Sequence, residues 1–177
     1  AFLVLPLLLT LAGAGLAALA AHPALIKRVS VTRLAWVLAV LPLTAFVFFI
    51  TRLAAGAGTA RILAIPWMPS LGVDFRLYLD SLSGLFLLLV SGIGTLVVVY
   101  SGYYFKGDAG ASRFLAYLFL FMTAMMGLLL AGDTIALFFF WEGTSVASFL
   151  LIGYKTKDEA ARRGALKSLF ITGGGGV

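Results

Sequence analysis

The sequence predicts an all-α protein, a polytopic transmembrane helical bundle with about six membrane spans. Composition is the first reason, because 62% of the 177 residues are hydrophobic and only 11% are charged, with a mean hydropathy of +1.10. The second reason is the length of the apolar runs, since crossing a hydrocarbon core of about 30 Å takes roughly 20 helical residues. The chain has no cysteine, which excludes disulfides and thiolate metal sites.

Five apolar runs predict the first five spans, and a charged loop leads to a sixth. The spans cover residues 2–20, 34–50, 79–103, 114–131 and 134–153, and the sixth apolar segment follows loop 155–163. Gly13 and Gly15 favour close helix contact in the first span. Pro42 predicts a kink in the second span.

The connections between spans carry their own signals. Residues 52–78 form a longer connection in which Pro66, Trp67 and Pro69 predict an irregular segment at the membrane interface. Asp80 opens the third span as an expected N-cap. Asp133 follows Gly132 in a tight turn, and its charge favours the N-terminus of the fifth helix.

The distribution of basic residues predicts the orientation in the membrane. The loops after spans one, three and five carry nine basic residues, whereas the opposite side carries three and Lys167 lies within the sixth span. The nine are Lys27, Arg28, Arg33, Lys106, Arg113, Lys155, Lys157, Arg162 and Arg163, and the three are Arg52, Arg61 and Arg76. Basic loops stay in the cytoplasm, so the N-terminus is expected outside.

Glu142 is the most informative residue, because it is the only ionisable group in the apolar run from 134 to 153. A carboxylate near the membrane midplane is costly and usually faces a protein interior, a water-filled path or a partner charge. The sequence therefore predicts a role in ion or proton movement. The alternative is a protonated or hydrogen-bonded glutamic acid that fixes helix packing.

Three more polar residues extend the candidate path. Ser145 and Ser148 follow Glu142 at i+3 and i+6 and form a slowly rotating polar stripe toward the cytoplasm. Lys167 enters from the same side on the neighbouring antiparallel helix. A carboxylate and an amine at offset depths in adjacent spans are elements of a proton relay. The alternative for Lys167 is that its long stem reaches to the cytoplasmic interface.

Other functions find little support in the sequence. No nucleophile–base pair is present, so we predict no catalytic residues, no cofactor and no metal site. The run 173–176 of four glycines follows no predicted strand, which argues against a nucleotide site and favours tight helix packing. The formal net charge of +6 is scattered through inter-span loops, so we expect no nucleic-acid partner.

The segment LLAGDTIALFFFWEGTSVASFLLIGY resembles the glutamate-bearing span of a known superfamily. These are the antiporter-like subunits of respiratory complex I, membrane hydrogenases and Mrp-type cation/proton antiporters. VDFRLYLDSLSGLFLLLVSGIGTLVVVYSGYY is similar to the family's N-terminal helices, and RFLAYLFLFMTAMMGLLLAGD to the start of its first repeat. The ending ARRGALKSLFITGGGG is most similar to the large A subunits of the Mrp branch. The resemblance extends over residues 71–177.

This resemblance implies a fold and a function. Family members contain two inverted repeats of five helices, so residues 1–111 would be N-terminal helices one to three and residues 112–177 the first three helices of repeat one. Glu142 matches the family's characteristic glutamate, whose lysine partner lies on a later helix of the repeat. Lys167 falls at a common lysine position. The expected partners are other antiporter subunits, the lipid bilayer, monovalent cations and protons, in the plasma membrane of a prokaryote.

Two departures keep the branch of the superfamily open. Gly173 and Gly176 stand where complex I relatives tend to carry a basic residue and an aspartate, which argues for the Mrp branch. Gly143, directly after Trp141 and Glu142, is more typical of complex I relatives. Besides membership of a sodium/proton antiporter, two alternatives therefore remain: a proton-pumping subunit of complex I or of a hydrogenase, and a non-conducting structural subunit.

Overall fold

Six helices and one two-stranded antiparallel sheet make up the described part of the chain. The structure is a computed structural model, and it describes residues 3–22, 30–55, 61–68, 73–108, 110–155 and 158–176. In chain order the elements are α1 (Leu5–Ala20), α2 (Val31–Ala54), β1 (Arg61–Met68), β2 (Val73–Leu79), α3 (Ser81–Tyr104), α4 (Ala111–Leu130), α5 (Thr134–Ile152) and α6 (Glu159–Gly176).

Four of these helices, α2 to α5, are long and apolar enough to cross a membrane by length and composition. The helix α1 is apolar but has 16 residues. The helix α6 has 18 residues and carries Glu159, Arg162, Arg163 and Lys167. The predicted all-α membrane bundle is confirmed, and each of the six predicted spans corresponds to a helix.

Helix α4 lies at the centre of the bundle, where it packs against α1, α3 and α5, while α2 packs against α3 and α6 against α5. Two buried apolar clusters hold these helices together. One includes Phe49, Leu77 and Leu130 and lies near the sheet. The other includes Leu38, Leu115 and Phe119 and lies toward the opposite end.

The bundle has two ends, which we name by their contents. The sheet end holds β1 and β2, the starts of α3 and α5, and the ends of α2 and α4. The basic end holds the ends of α1, α3 and α5 and the starts of α2, α4 and α6. The described ends of the three loops predicted to be basic all lie at the basic end.

The irregular segment predicted at 52–78 is wrong for the described residues, because β1 and β2 pair there. Arg61 lies opposite Leu79 and Ile65 opposite Phe75, with an irregularity between Pro66 and Met68. Pro66 misled the prediction, since proline cannot donate to a strand ladder. It is tolerated here because it lies beside that irregularity in a two-stranded sheet, where each strand has a free edge.

Two predicted boundaries also need correction. The loop 155–163 ends earlier, since α6 begins at Glu159, and Asp158 accepts hydrogen bonds from the backbone N–H groups of Ala160 (2.9 Å) and Ala161 (3.3 Å). Helix α2 is longer at both ends than the predicted span 34–50. Hydropathy marks the membrane boundary, whereas a helix continues through polar residues until its backbone is capped.

Local contacts confirm two predictions and not a third. The Asp80 carboxylate caps α3 by accepting from the Ser83 N–H (2.7 Å), while Ser83 Oγ accepts from the Asp80 N–H (2.9 Å). A Cβ on Gly13 would lie 2.5 Å from the ring of Phe119, so α1 and α4 meet there at close range. Gly15 has no described atom within 4 Å of that position, so its expected contact is absent.

Candidate functional site

Helix α5 holds Glu142 deep inside the span. The helix starts at Thr134, where the Asp133 carboxylate accepts from the Ala136 N–H (2.7 Å), and ends at Ile152. At about 1.5 Å per residue, Glu142 lies roughly 12 Å from the start of the helix and 15 Å from its end. It is therefore near the middle of the apolar length.

The two carboxylate oxygens of Glu142 have different surroundings. Oε1 is buried and has no hydrogen-bond partner among the described residues. Oε2 lies 3.8 Å from the position that a Cβ would take on Gly173, so α6 passes close to the carboxylate at a residue without a side chain. A buried polar atom without a hydrogen bond is unfavourable, so Oε1 lacks a partner that the described residues do not supply.

A cavity of about 690 Å³ lies beside Glu142. Its walls come from four elements: Leu11 of α1, Trp67 of β1, Thr123 of α4 and the rings Phe138–Phe140 of α5. Most of this lining is apolar. Glu142 supplies the one carboxylate among the described lining residues, so a cation that enters the cavity comes close to this carboxylate.

Glycines fix how closely α4 and α5 approach at this cavity. A Cβ on Gly143 would lie 3.3 Å from the Ala124 Cβ. A Cβ on Gly127 would collide with the ring of Phe140. The ring of Phe140 in turn packs edge-on against Phe75 of β2, with centroids 5.8 Å apart. The sheet is thereby linked through one ring to the helix that carries Glu142.

A buried pair of hydroxyls, which no sequence pattern indicated, lies between α1 and α4. Thr123 Oγ1, which also borders the cavity, is 2.9 Å from Thr10 Oγ1. Each hydroxyl also reaches carbonyl oxygens of its own helix: Thr10 Oγ1 lies 3.1 Å from both Pro6 O and Leu7 O, and Thr123 Oγ1 lies 2.8 Å from Phe119 O. Threonine in an apolar helix satisfies itself locally, and the sequence therefore carried no signal for this pair.

The other predicted path residues lie on α5 and α6 but do not converge on the carboxylate. Ser145 is buried, and its hydroxyl donates to Trp141 O (3.2 Å). Ser148 is half-buried and Lys167 is exposed. Lys167 precedes Gly173 by six residues, which is about 9 Å along the axis and about 120° around it. No ion pair joins Lys167 to Glu142, both of which are described.

The sheet is anchored to the turn between α4 and α5. The Asp133 carboxylate that caps α5 also accepts from the Arg76 N–H (2.5 Å), and the Gly132 N–H donates to Arg76 O (2.8 Å). Leu77 forms an isolated antiparallel bridge with Ala131. The start of α5 is thus held by one carboxylate that serves two elements.

A second polar cluster, at the basic end, joins the loop before α4 to the end of α5. The Tyr154 hydroxyl donates to Asp108 Oδ2 (2.8 Å), and the Gly110 N–H donates to Asp108 Oδ1 (2.8 Å). These two bonds, together with the charges of Arg113 and Lys155, hold the pKa of Asp108 below its usual value. Burial and the bond to Asp108 raise the pKa of Tyr154.

Comparison with known proteins decides the family. A family model described as NADH-Ubiquinone oxidoreductase (complex I), chain 5 N-terminus, matches residues 67–115. One described as NADH:quinone oxidoreductase/Mrp antiporter, TM, matches residues 131–177. The A subunit of the Na(+)/H(+) antiporter of Alkalihalophilus pseudofirmus is 46% identical over 143 residues, which is 80% of this chain. The chain belongs to the superfamily of antiporter-like membrane subunits.

Further matches agree with this assignment to the antiporter-like subunits. The A1 subunit of the Na(+)/H(+) antiporter of Staphylococcus haemolyticus is 43% identical over 145 residues, or 81% of this chain. The Mrp complex from Dietzia sp. DQ12-45-1b aligns with 99% of this chain at a TM-score of 0.82 and 30% sequence identity. The chain spans 18% of the length of each of these relatives. It is a multi-pass membrane protein, and the resemblance found in its sequence is confirmed.

Proposed function

We propose that the chain forms the N-terminal part of the large subunit of a multi-subunit sodium/proton antiporter, with Glu142 as a protonatable link in its intramembrane ion path. The names of the relatives support the antiporter, and the matched region 131–177 includes Glu142. Its partners are other antiporter subunits, monovalent cations and protons. The role is transport, without an enzymatic reaction, in the plasma membrane of a prokaryote, and the N-terminus lies outside.

The unpartnered oxygen of Glu142 carries this proposal. Oε1 is buried and lacks a hydrogen bond among the described residues, and the carboxylate borders a cavity large enough for water and ions. In general an apolar environment favours the neutral form of a carboxyl group, and a nearby cation or basic group favours its ionised form. Alternation between these two states is the elementary step of proton transfer.

The remaining path residues lie between Glu142 and the basic end. Ser145 and Ser148 follow on α5, roughly 4.5 and 9 Å farther along the axis. Lys167 lies on α6 between Gly173 and the basic end. In this proposal they pass a proton between Glu142 and the cytoplasm. Residues 1–111 form the N-terminal helices and residues 112–177 the first three helices of the first repeat.

Two substitutions of Glu142 test the proposal in the complete antiporter complex. Glu142→Gln keeps the size and the hydrogen-bonding capacity but cannot titrate, so sodium-driven pH changes in vesicles should fall to the background of empty vesicles. Glu142→Asp keeps the titratable group on a stem one methylene shorter, so part of the transport should remain. Rates are normalised to the amount of assembled complex.

Asp158→Asn is the matched control, because it makes the same carboxylate-to-amide change outside the apolar span, where a single oxygen accepts both hydrogen bonds at the start of α6. Asparagine caps a helix about as well as aspartate, so this variant should transport like the unmodified complex. Near-normal transport by Glu142→Gln would refute the proton role.

The largely apolar cavity lining favours a second candidate, a non-conducting structural subunit. In that case Glu142 serves packing alone, so the ranking of the variants reverses. Glutamine is then tolerated, while aspartate is disruptive through its shorter stem. A proton-pumping role in complex I or in a hydrogenase predicts instead that transport stops in Glu142→Gln but does not depend on sodium. The same vesicle assay with sodium replaced by choline separates that case.

A further inference from the structure

A second cavity, of about 230 Å³, lies at the basic end where three helices meet. Arg113 comes from the first turn of α4, Arg162 from the first turn of α6, and Phe149 and Leu150 from the last turn of α5. All four residues lie within one turn of a helix end. Helical side chains tilt toward the N-terminus of their helix, so the two arginines lean toward the end of the bundle, whereas Phe149 and Leu150 lean into it. An amphipathic ligand that enters from the membrane boundary has its charged and apolar parts in this same order.

Aromatic residues mark this level as a membrane–water interface. Tyr103 and Tyr104 end α3 with exposed rings, and the exposed Trp36 near the start of α2 donates from Nε1 to the Tyr103 hydroxyl (3.0 Å). Tyr117 lines the cavity itself. Tyrosine and tryptophan concentrate at the headgroup level of bilayers. The two arginines are thus at the depth of lipid phosphates.

Arg113 is held in position before any ligand binds. Its Nη2 donates to Tyr154 O (3.4 Å), and its Cζ lies 5.6 Å from the centroid of the Tyr154 ring. A guanidinium has five N–H donors in a planar fork, so most of them remain available toward the cavity. Arg162 makes no hydrogen bond or ion pair through its guanidinium with the described residues.

The nearby carboxylates make their hydrogen bonds elsewhere and none is among the described residues that line the cavity, although the charge of Asp108 attracts Arg113. Asp108 accepts from Tyr154 and from the Gly110 N–H. Asp158 caps α6. Glu159 pairs with Arg163, whose Nη2 lies 2.6 Å from Glu159 Oε1. The cavity consequently presents a positive charge to an anion.

We propose that this cavity binds the phosphate headgroup of an anionic membrane phospholipid. Arg113 and Arg162 hold the phosphate, because guanidinium forks match its oxygens in charge and geometry. The acyl chains leave along Phe149 and Leu150. A membrane lipid is the occupant and not a soluble phosphate, since the deeper wall is apolar and the cavity lies at the headgroup level. Basic pockets between transmembrane helices on the cytoplasmic side are suited to such headgroups.

The experiment measures lipid binding to the purified complete complex in detergent. Native mass spectrometry counts bound phosphatidylglycerol and phosphatidylcholine across a concentration series. The unmodified complex should bind phosphatidylglycerol more tightly at one site, and Arg162→Gln should weaken that site about fivefold, the effect expected for one basic residue at the surface. Arg162→Lys should keep most of the affinity.

Arg163→Gln is the matched control. It removes the same charge from the same helical turn, but Arg163 does not line the cavity and already pairs with Glu159. Its lipid binding should equal that of the unmodified complex. Equal weakening by Arg162→Gln and Arg163→Gln would mean nonspecific attraction and overturn the site. Equal binding of the two lipids, or full competition by inorganic phosphate, would overturn the lipid assignment.

Discussion

Because residue 127 is a glycine, the ring of Phe140 occupies the space that a side chain would fill. Gly127 is buried in α4, and a Cβ there would collide with three atoms of that ring. Phe75 and Phe139 pack against the ring with centroids 5.8 and 5.3 Å distant, so the ring could give way only toward the cavity that it also lines. The position of α5, and with it the height of Glu142, therefore depends on the absence of one methyl group.

We expect Gly127→Ala to destabilise the complex by about 1–3 kcal/mol, the usual effect of overpacking a filled core. The higher helix propensity of alanine offsets at most about 1 kcal/mol of this. The measurement is the thermal stability of the complete complex in detergent. Gly15→Ala is the control, since no described atom lies within 4 Å of its Cβ position. Equal stability of the two variants would contradict the role of the ring.

At the basic end, a hydrogen bond between two loops holds the end of α5 against the start of α4. Tyr154 is buried, and its ring packs edge-on against Phe105 and Phe114. Its hydroxyl reaches Asp108 in the loop between α3 and α4. This bond joins the end of α5 to the start of α4, so it stabilises the contact that also positions Arg113.

Tyr154→Phe removes the hydroxyl and keeps the ring, so it should cost about 0.5–1.5 kcal/mol at neutral pH. Asp108 has a pKa below its usual value of 3.8 in the folded chain. A depressed carboxyl pKa contributes stability above the unfolded pKa and loses it as the pH falls through the folded pKa. The stability difference between Tyr154→Phe and the unmodified complex should therefore persist to about pH 4 and shrink below it.

Thermal unfolding of the detergent-solubilised complex from pH 7 to pH 3 measures this difference. As the control, Tyr154→Phe is compared with its parent in an Asp108→Asn background. Because that background lacks the titrating group, the difference in stability between the two proteins should change little with pH. A difference that disappears near pH 6 would assign the bond to another group.

Elements differed in how well the sequence predicted them, for identifiable reasons. Long apolar runs predicted all six helices, because the membrane demands about 20 apolar residues per span. The sheet was missed because Pro66 and Pro69 suggested irregular backbone. Only β2 alternates apolar and polar residues, over a short stretch, whereas β1 is apolar after Arg61. Their placement depends on the α4–α5 turn, where Asp133 and Gly132 hold Arg76.

The sequence predicted the depth of Glu142 in the membrane, but it did not predict which helix Glu142 faces. Glu142 is the one ionisable group of its span, so its position in the sequence fixed its depth. Apart from the polar stripe of Glu142, Ser145 and Ser148, helix α5 is apolar all round, and its pattern did not indicate which face meets α6. The contact of Glu142 with Gly173, and the hydroxyl pair of Thr10 and Thr123, follow from packing between distant segments.

At the scale of the whole molecule, the two ends of the bundle differ in charge and in structure. The basic end carries the lysine- and arginine-rich loops, and the sheet end carries β1 and β2 with three basic residues, Arg52, Arg61 and Arg76. The excess of basic residues predicts that the basic end faces the cytoplasm. The sheet then lies on the outer surface, next to the cavity beside Glu142.

Cysteine labelling of the complete complex in cells tests this orientation. Lys155→Cys introduces an exposed thiol at the basic end, and Ile62→Cys introduces one on β1, where the native side chain is 67% exposed. A membrane-impermeant maleimide should label Ile62→Cys in intact cells and Lys155→Cys after the membrane is opened. The reverse pattern would invert the topology. The 177 residues contribute no cysteine of their own, so the two sites are compared on the same background.

Because Asp133 anchors β2, the sheet can be fixed only after the ribosome has synthesised Asp133. Asp133 lies 54 positions after Leu79, the last residue of β2, so at ordinary rates of translation the ribosome adds the anchor about 3 to 11 s later. During this interval the edge of β2 presents unpaired backbone groups at Arg76 and Leu77, which are free to pair with another strand. Helices α3 and α4 must insert before that edge is closed. The yield of correctly assembled protein should therefore depend on how quickly these two helices enter the membrane.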